Sequence, residues 1–468
     1  MNKKIILKNF INHNNKVFRY KKNNTNNKIF LIEFNGWPFI HIIFSYLTNF
    51  FKNQKNYRVI SYESFELLNK NKQNFVQRIS WLIGTKLGIN TFNIFKSIGV
   101  DSFIRPKYSL KIEKESKKIF KKYSKNLTHA KLENLILKKI WVGDLIYDSF
   151  LKKNNLSTIK SFKDVEFLNF FQESIKFFLF WEDYFIKNNI GAICGCHEVY
   201  LTGIPLRIAS FKNVKTLLIS NLSVVNISKR MDFNKKENSE NFKVKIYKKL
   251  LKKDILINGK KKINLEGKKI LTKYLTGKKR IFYMKKNYYH EKKYIKKLKK
   301  SKKTKIVIFA HKFGDSFHTL GNGFFENYRK WFDFLEKIIN QTNYTWYIKK
   351  HPSSDSLTEL EVSRLIKRTK KIETLDDQFP NNKLKNLGIK FGLTLYGTVS
   401  SEVPFYGIVM LNGMSNNPHS IYNFSYTPKN LLDYKKKLLS LDNFKFKINY
   451  DDLYQYNYIK SKIFLNNI

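Results

Sequence analysis

Four short stretches in the last third of the chain have the make-up of a phosphate site. They are "AHKFGDSFH" (310–318), "KKHPSSD" (349–355), "YGTVSSE" (396–402) and "LNGMSNNPH" (411–419). Only nine histidines occur in 468 residues, yet His311, His318, His351 and His419 all lie in these stretches. In "KKHPSSD", Pro352 removes an N–H and fixes φ, so the chain must leave any sheet that precedes it. His351 is thereby held at a strand tip. Lys349 or Lys350, with Ser353 and Ser354, supplies charge and hydroxyls for a diphosphate. His351 then steadies charge on a leaving phosphate, assistance worth about 10²–10⁴ in rate. The competing reading is a structural turn flanked by surface lysines.

"GTVSSE" is the second phosphate candidate. Gly397 permits a tight turn, and Thr398, Ser400 and Ser401 stand where a helix begins. Ser400 or Ser401 can cap that helix while free N–H groups face an anion. Glu402 can accept hydrogen bonds from ribose hydroxyls. An ordinary helix cap is the alternative. His311 and Asp315 follow the first strand of this half and are expected to face the same ligand.

These residues converge only if strands present them on one edge. "TKIVIFAH", "YTWYIKKH", "FGLTLYG" and "IVML" read as buried strands, with helices at "FFENYRKWFDFLEKIINQ" and around "SLTELEVSRLIKRTKKI" between them. The first half shows the same alternation, from "KIFLIEFNG" through "WPFIHIIFSYLTNFF" to "YRVISY", then "VEFLNFFQESIKFFLFWEDYFIKNN", "GAICGCH" and "KTLLIS". Strand–helix–strand repetition predicts parallel sheets. The fold class expected is α/β, with two Rossmann-like doubly wound lobes facing a cleft, and ligands in such sheets sit beyond the carboxyl ends of the strands. The expected division is 1–228, a first Rossmann-like lobe; 229–303, a Lys-rich linker with surface helices; 304–445, a second Rossmann-like lobe; and 446–468, a tail crossing back to the first lobe.

In the first half the candidates are Glu33 and His41 near a strand tip, Asp144 in "GDLIYDS", and His197 with Glu198 after "CGC". Arg207 either faces an anionic acceptor or is a surface arginine. Cys194, Cys196 and His197 lack the further ligands a tetrahedral zinc site requires, and no metal is expected. Two cysteines cannot form a disulfide framework and fit a reducing compartment.

The formal charge is +53, from 89 basic and 36 acidic residues. The lysines are interspersed with asparagine rather than gathered on one face, so nucleic acid is not the expected partner. An anionic membrane surface is the expected secondary partner, each nearby lysine adding at most about 1 kcal/mol. No apolar run approaches the roughly 20 residues of a membrane span, and the opening residues lack the apolar region of a signal peptide. A cytoplasmic protein, peripheral at the inner membrane face, is expected. Walker-type glycine loops and Asp-X-Asp pairs are both missing from the sequence. That argues against a P-loop enzyme and favours a metal-independent mechanism.

The ordered set "EFNGWPFIHIIFSYLTNFF", "VGDLIYDSFL", "HEVYLTGIPLRIA", "FAHKFGDSFH", "YIKKHPSS" and "YGTVSSEVPFYGI" resembles bacterial capsule and surface-polysaccharide biosynthesis proteins of the GT-B glycosyltransferase fold. Its "HP" and later Ser-Ser are similar to motifs of sialyl-, polysialyl- and Kdo-transferases, and teichoic-acid polyol-phosphate polymerases share the layout. The resemblance implies transfer of a sugar from a nucleotide donor, a CMP-linked one among the candidates, to a glycan or lipid-linked acceptor. His351, Ser400 and Ser401 map onto donor-phosphate motifs, with no cofactor beyond the donor itself. The acidic pair followed by glycine that carries the sialyltransferases' base has no match in the first lobe. The base is thus open among Asp144, His197 and Glu33. Phosphate-polyol transfer from a CDP-linked donor, and a non-catalytic RNA- or membrane-binding role, are the alternatives.

Overall fold

The computed structural model describes residues 3–18, 27–63, 75–220, 223–228, 236–277, 302–318, 323–415 and 417–465. The chain divides into two compact units. The first holds 1–154 and 159–235, and the second holds 155–158 and 236–466, the last two residues falling with the first.

The first unit is built on a six-stranded sheet. Its strands are β1 (Ile29–Glu33), β2 (Arg58–Tyr62), β3 (Ser102–Ile104), β6 (Ile190–Gly195), β7 (Lys215–Ser220) and β8 (Ser223–Asn226), in the order β3-β2-β1-β6-β7-β8. All neighbours are parallel except β7 and β8. A separate hairpin pairs β4 (Ile136–Leu137) with β5 (Ile140–Trp141).

The second unit carries β9 (Lys305–Phe309), β10 (Thr345–Lys349), β11 (Ile372–Leu375), β12 (Ile389–Thr394) and β13 (Val409–Asn412), ordered β11-β10-β9-β12-β13 and parallel throughout. In both sheets the chain starts in the middle, winds to one edge, then returns to the other side. The order reverses between β1 and β6, and between β9 and β12. Each reversal opens a crevice at the carboxyl edge. Two doubly wound α/β units are therefore present, as the strand–helix alternation predicts.

Side-chain alternation explains why the second sheet is covered on both faces. Ile306, Ile308, Trp346 and Ile348 pack against Trp331, Leu335 and Ile338 of the 328–341 helix. Val307, Phe309 and Tyr347 point the other way, onto Leu384, Val403 and Ile408. Strands buried on both sides read as unbroken apolar runs. Five strands sit outside the expected set: β3 and β8 lie at sheet edges, β4 and β5 make the hairpin, and β11 starts at Ile372, the last residue of the stretch expected as a helix. The 356–369 helix instead stops at Lys370, in the left-handed region at φ 53°.

The stretch 229–303, expected as a linker with surface helices, contains helices Lys236–Asn258 and Lys260–Leu275 in its described part. They pack with the C-terminal helix Tyr450–Leu465, so the expected tail belongs to the second unit. Tyr247, Ile263, Leu271, Leu453, Tyr456 and Ile459 form a common core. The crossing is tight: a Cβ at Gly267 would overlap the Tyr454 carbonyl oxygen. Backbone cannot rotate away, so Gly267→Ala is expected to cost about 1–3 kcal/mol, as overpacking does. A urea midpoint unchanged from wild type would refute that close approach.

Candidate functional site

The carboxyl edge of the second sheet gathers two imidazoles. His311 lies two residues past β9, stacked on Tyr328 with ring centroids 5.1 Å apart and 4.7 Å from the Tyr396 ring. Its Nε2 accepts from the Leu395 N–H at 3.2 Å and meets Thr394 Oγ1 at 3.0 Å. An accepting Nε2 leaves the proton on Nδ1. Burial, then the neighbouring His351, pushes this imidazole down to about 3. The ring is neutral at pH 7 and held in one tautomer.

His351 is held in the opposite tautomer. Its Nδ1 receives the Ser353 N–H at 3.2 Å and lies 2.9 Å from Ser353 Oγ, which places the proton on Nε2. Nε2 has no hydrogen-bond partner among the described residues. Ser354 closes the turn behind it, donating N–H and Oγ–H to the His351 carbonyl at 2.9 and 2.6 Å. Burial lowers the His351 pKa and Lys312 reinforces this, against Asp315, Glu402 and Asp355. Charges of both signs thus act on the ring. Asp355 also pins the 312–316 loop. It caps the 356–369 helix through the Thr358 N–H at 2.9 Å, Thr358 Oγ1 receives the Phe313 N–H at 2.9 Å, and the Gly314 N–H bonds Asp355.

The other sequence candidates take different places. Lys349 is buried and donates to the Phe379 carbonyl and Asn381 Oδ1, both at 2.6 Å, and burial pushes it down to about 8. Lys350 forms an exposed two-pronged pair with Glu359 at 2.7 Å. The 399–402 helix has only four residues. The Ser400 and Ser401 N–H groups bond the Gly397 and Thr398 carbonyls. Their hydroxyls are engaged as well, Ser400 with Asn412 Oδ1 and Ser401 with the Thr398 carbonyl at 3.0 Å. Both serines are thus occupied in holding the tip together instead of facing an anion. Glu402, 5% exposed, accepts from the Tyr274 hydroxyl at 3.1 Å. Gly397 lies against His311, 3.6 Å from Cε1 to the position of a Cβ, and Thr398 is exposed. His311, His351, Asp315, Gly397 and Glu402 are brought together. Lys350 and the hydroxyls of Ser400 and Ser401 are not. Tyr328 and Tyr396, whose hydroxyls bond each other, are the residues that sequence reading missed.

In the first unit, Glu33 ends β1 fully buried and accepts the Cys196 N–H at 2.6 Å, tying β1 to β6. Burial and this carboxylate push the Tyr62, Cys194 and Cys196 pKa values up. The thiols thus stay protonated, unlike metal thiolates. Among the described residues no cluster of three His, Cys, Asp or Glu can hold a metal. Asp144 takes two bonds from Arg207, at 2.7 and 2.6 Å, while the guanidinium lies 4.8 Å over Trp141. Arg207 is thus buried, not a surface arginine. His41 bonds the Asn35 carbonyl at 2.6 Å. His197 follows β6, its ring edge-on to Trp37 at 5.0 Å and free of hydrogen bonds among the described residues. Burial, then Lys152, lowers its pKa, so it is an uncharged base at neutral pH.

The depressed imidazoles make stability pH-dependent. His311 and His419 both have folded values near 3, beneath the ordinary 6.5. Between pH 6.5 and 3 the unfolded chain binds protons the folded one refuses. Stability is therefore complete above pH 6.5 and falls by several kcal/mol as pH drops toward 3. Urea titrations should show that slope flattening in His311→Gln. An identical slope would contradict the buried neutral ring.

No family model matches this chain, and no curated protein does. Solved structures similar to it include the Thermosulfurimonas dismutans KpsC, described as a beta Kdo 2,4 transferase, at 13% identity and TM-score 0.36, covering 57% of this chain and 79% of that one. The UDP-GlcNAc 2-epimerase from Neisseria meningitidis bound to UDP-GlcNAc aligns at 10% identity and TM-score 0.30, over 94% of this chain and 100% of that one. A glycosyltransferase from Rickettsia africae aligns at 11% and TM-score 0.25, over 94% of each chain. The fold assignment rests on strand order and winding.

Proposed function

We propose that the protein transfers a sugar from a nucleotide-activated donor to a surface glycan, with the donor phosphates at the carboxyl edge of the second sheet. One observation carries this reading: two neutral imidazoles beside the strand-order reversal, locked in opposite tautomers, with the His351 Nε2–H lacking an acceptor among the described residues. Neutral donors stabilise a developing phosphate charge without a counter-charge that would hold the product. Glu402 and Asp315 supply acceptors for ribose or sugar hydroxyls. For the base, Asp144 is tied to Arg207 and Glu33 to a strand amide, which favours His197. A cytoplasmic setting against an anionic membrane face belongs to the same proposal. The excess of basic residues supports it, and so does the finding that no helix among the described residues is long and apolar enough to cross a membrane.

Thermal unfolding with CMP, CDP, UDP and GDP tests the reading and separates sugar from polyol-phosphate donors. A recognised nucleotide at 100 times its dissociation constant adds about 2.7 kcal/mol. No stabilisation by any nucleotide or nucleotide sugar would sink the donor site.

A further inference from the structure

The strand-tip site extends past Glu402 to a cation that its own strands do not supply. Lys460 lies on the Tyr450–Leu465 helix, which packs against the 399–402 turn. It is half-buried, and its ammonium has neither a hydrogen bond nor an ion pair among the described residues. Its Nζ lies 5.9 Å from the centroid of the Tyr456 ring. Burial lowers the Lys460 pKa, with Glu402 the opposing charge, yet Glu402 is bonded to Tyr274 and does not close onto the lysine. One helical turn before Lys460, Tyr456 meets His419 Nε2 at 2.9 Å. His419 is 3% exposed and its Nδ1 has no partner among the described residues. The charge of Lys460 acts on that imidazole. A half-buried ammonium and a buried imidazole thus flank Tyr456, each with unused bonding capacity among the described residues. Left empty, such a pair costs free energy.

We propose that Lys460 and His419 form an anion subsite that binds a phosphoryl group of the donor, making the C-terminal helix part of the ligand site. This rests on the nucleotide-donor reading for the identity of the ligand, though not for its charge. With Nε2 accepting from Tyr456, His419 presents an Nδ1–H donor, and Lys460 supplies the charge. The Lys→Arg change keeps that charge, whereas Lys→Met keeps only the packing of the stem.

Calorimetric titration of wild type, K460M and K460R with UDP, CMP, uridine and inorganic pyrophosphate tests this. K460M is expected to weaken the nucleotides and pyrophosphate at least tenfold and leave uridine unchanged, while K460R retains most of the affinity. The urea midpoint of K460M should match or exceed wild type, because a desolvated, unpaired ammonium is lost. H419F should weaken the same anions. Equal anion affinity in K460M and wild type, equal losses for uridine and UDP, or a lowered midpoint would overturn the proposal. So would failure of wild type to bind any of these anions. Pyrophosphate binding that needs Lys460, without nucleotide binding, would uphold the anion subsite and remove the sugar-transfer reading.

Discussion

Replacing His351 with alanine is expected to lower turnover with a nucleotide-sugar donor by about 10²–10³-fold, and to raise KM much less. The size follows from the role, since one preorganised donor to a developing oxyanion is worth about 2.7–4 kcal/mol at the transition state. The asymmetry follows from timing. The leaving phosphate gains charge during bond cleavage, so the Nε2–H bond strengthens there and contributes little to ground-state binding. His351→Asn, which keeps an N–H, should recover part of the loss. Ser353→Ala should fall between, because it removes the hydroxyl beside Nδ1 at 2.9 Å and leaves the ring held by the backbone N–H alone. Since burial places the His351 pKa beneath 6.5, the ring is neutral across pH 7–8 and the ratio of mutant to wild type should not change there. A deficit confined to KM, or one that varies over that range, would rule out this role.

The second large effect is structural. Asp144→Ala should destabilise the first unit by about 3–5 kcal/mol, the range for breaking a buried pair and stranding one charge. Both side chains are at most 7% exposed, and Arg207 also donates to the Trp141 carbonyl at 2.8 Å. The double change Asp144→Leu with Arg207→Met removes both charges and should restore most of the stability, because buried ion pairs give little net gain over apolar packing. Urea unfolding of the two single variants and the double variant measures this coupling. If Asp144 were instead the catalytic base, the single variant would unfold at the wild-type midpoint while losing turnover.

Local signals made much of the architecture legible. "KIVIF", "TWYIK" and "FGLT" are apolar runs because both sheet faces are covered. Pro352 and Gly397 mark where the chain turns away, so His311 and His351 were identifiable as tip residues. What composition could not reveal was which polar atoms were already taken. Ser400 and Ser401 look like free hydroxyls beside a glycine turn, yet Asn412 and the Thr398 carbonyl claim them. Lys350 reads like a phosphate ligand and is held by Glu359. Asp144 reads like a base and is neutralised by Arg207, 63 residues away.

The division has a physical cause. Secondary structure and strand ends follow from short-range periodicity and backbone sterics, which any window of residues records, and so the α/β class and the tip histidines were determined by the amino-acid order alone. Hydrogen-bond and ion-pair occupancy depends on contacts between distant segments, which no window contains. Only the tertiary structure decided that His311 is clasped by Tyr328 and Tyr396, that Glu33 closes onto Cys196, and that a helix from the end of the chain carries Lys460 to the edge of the second sheet.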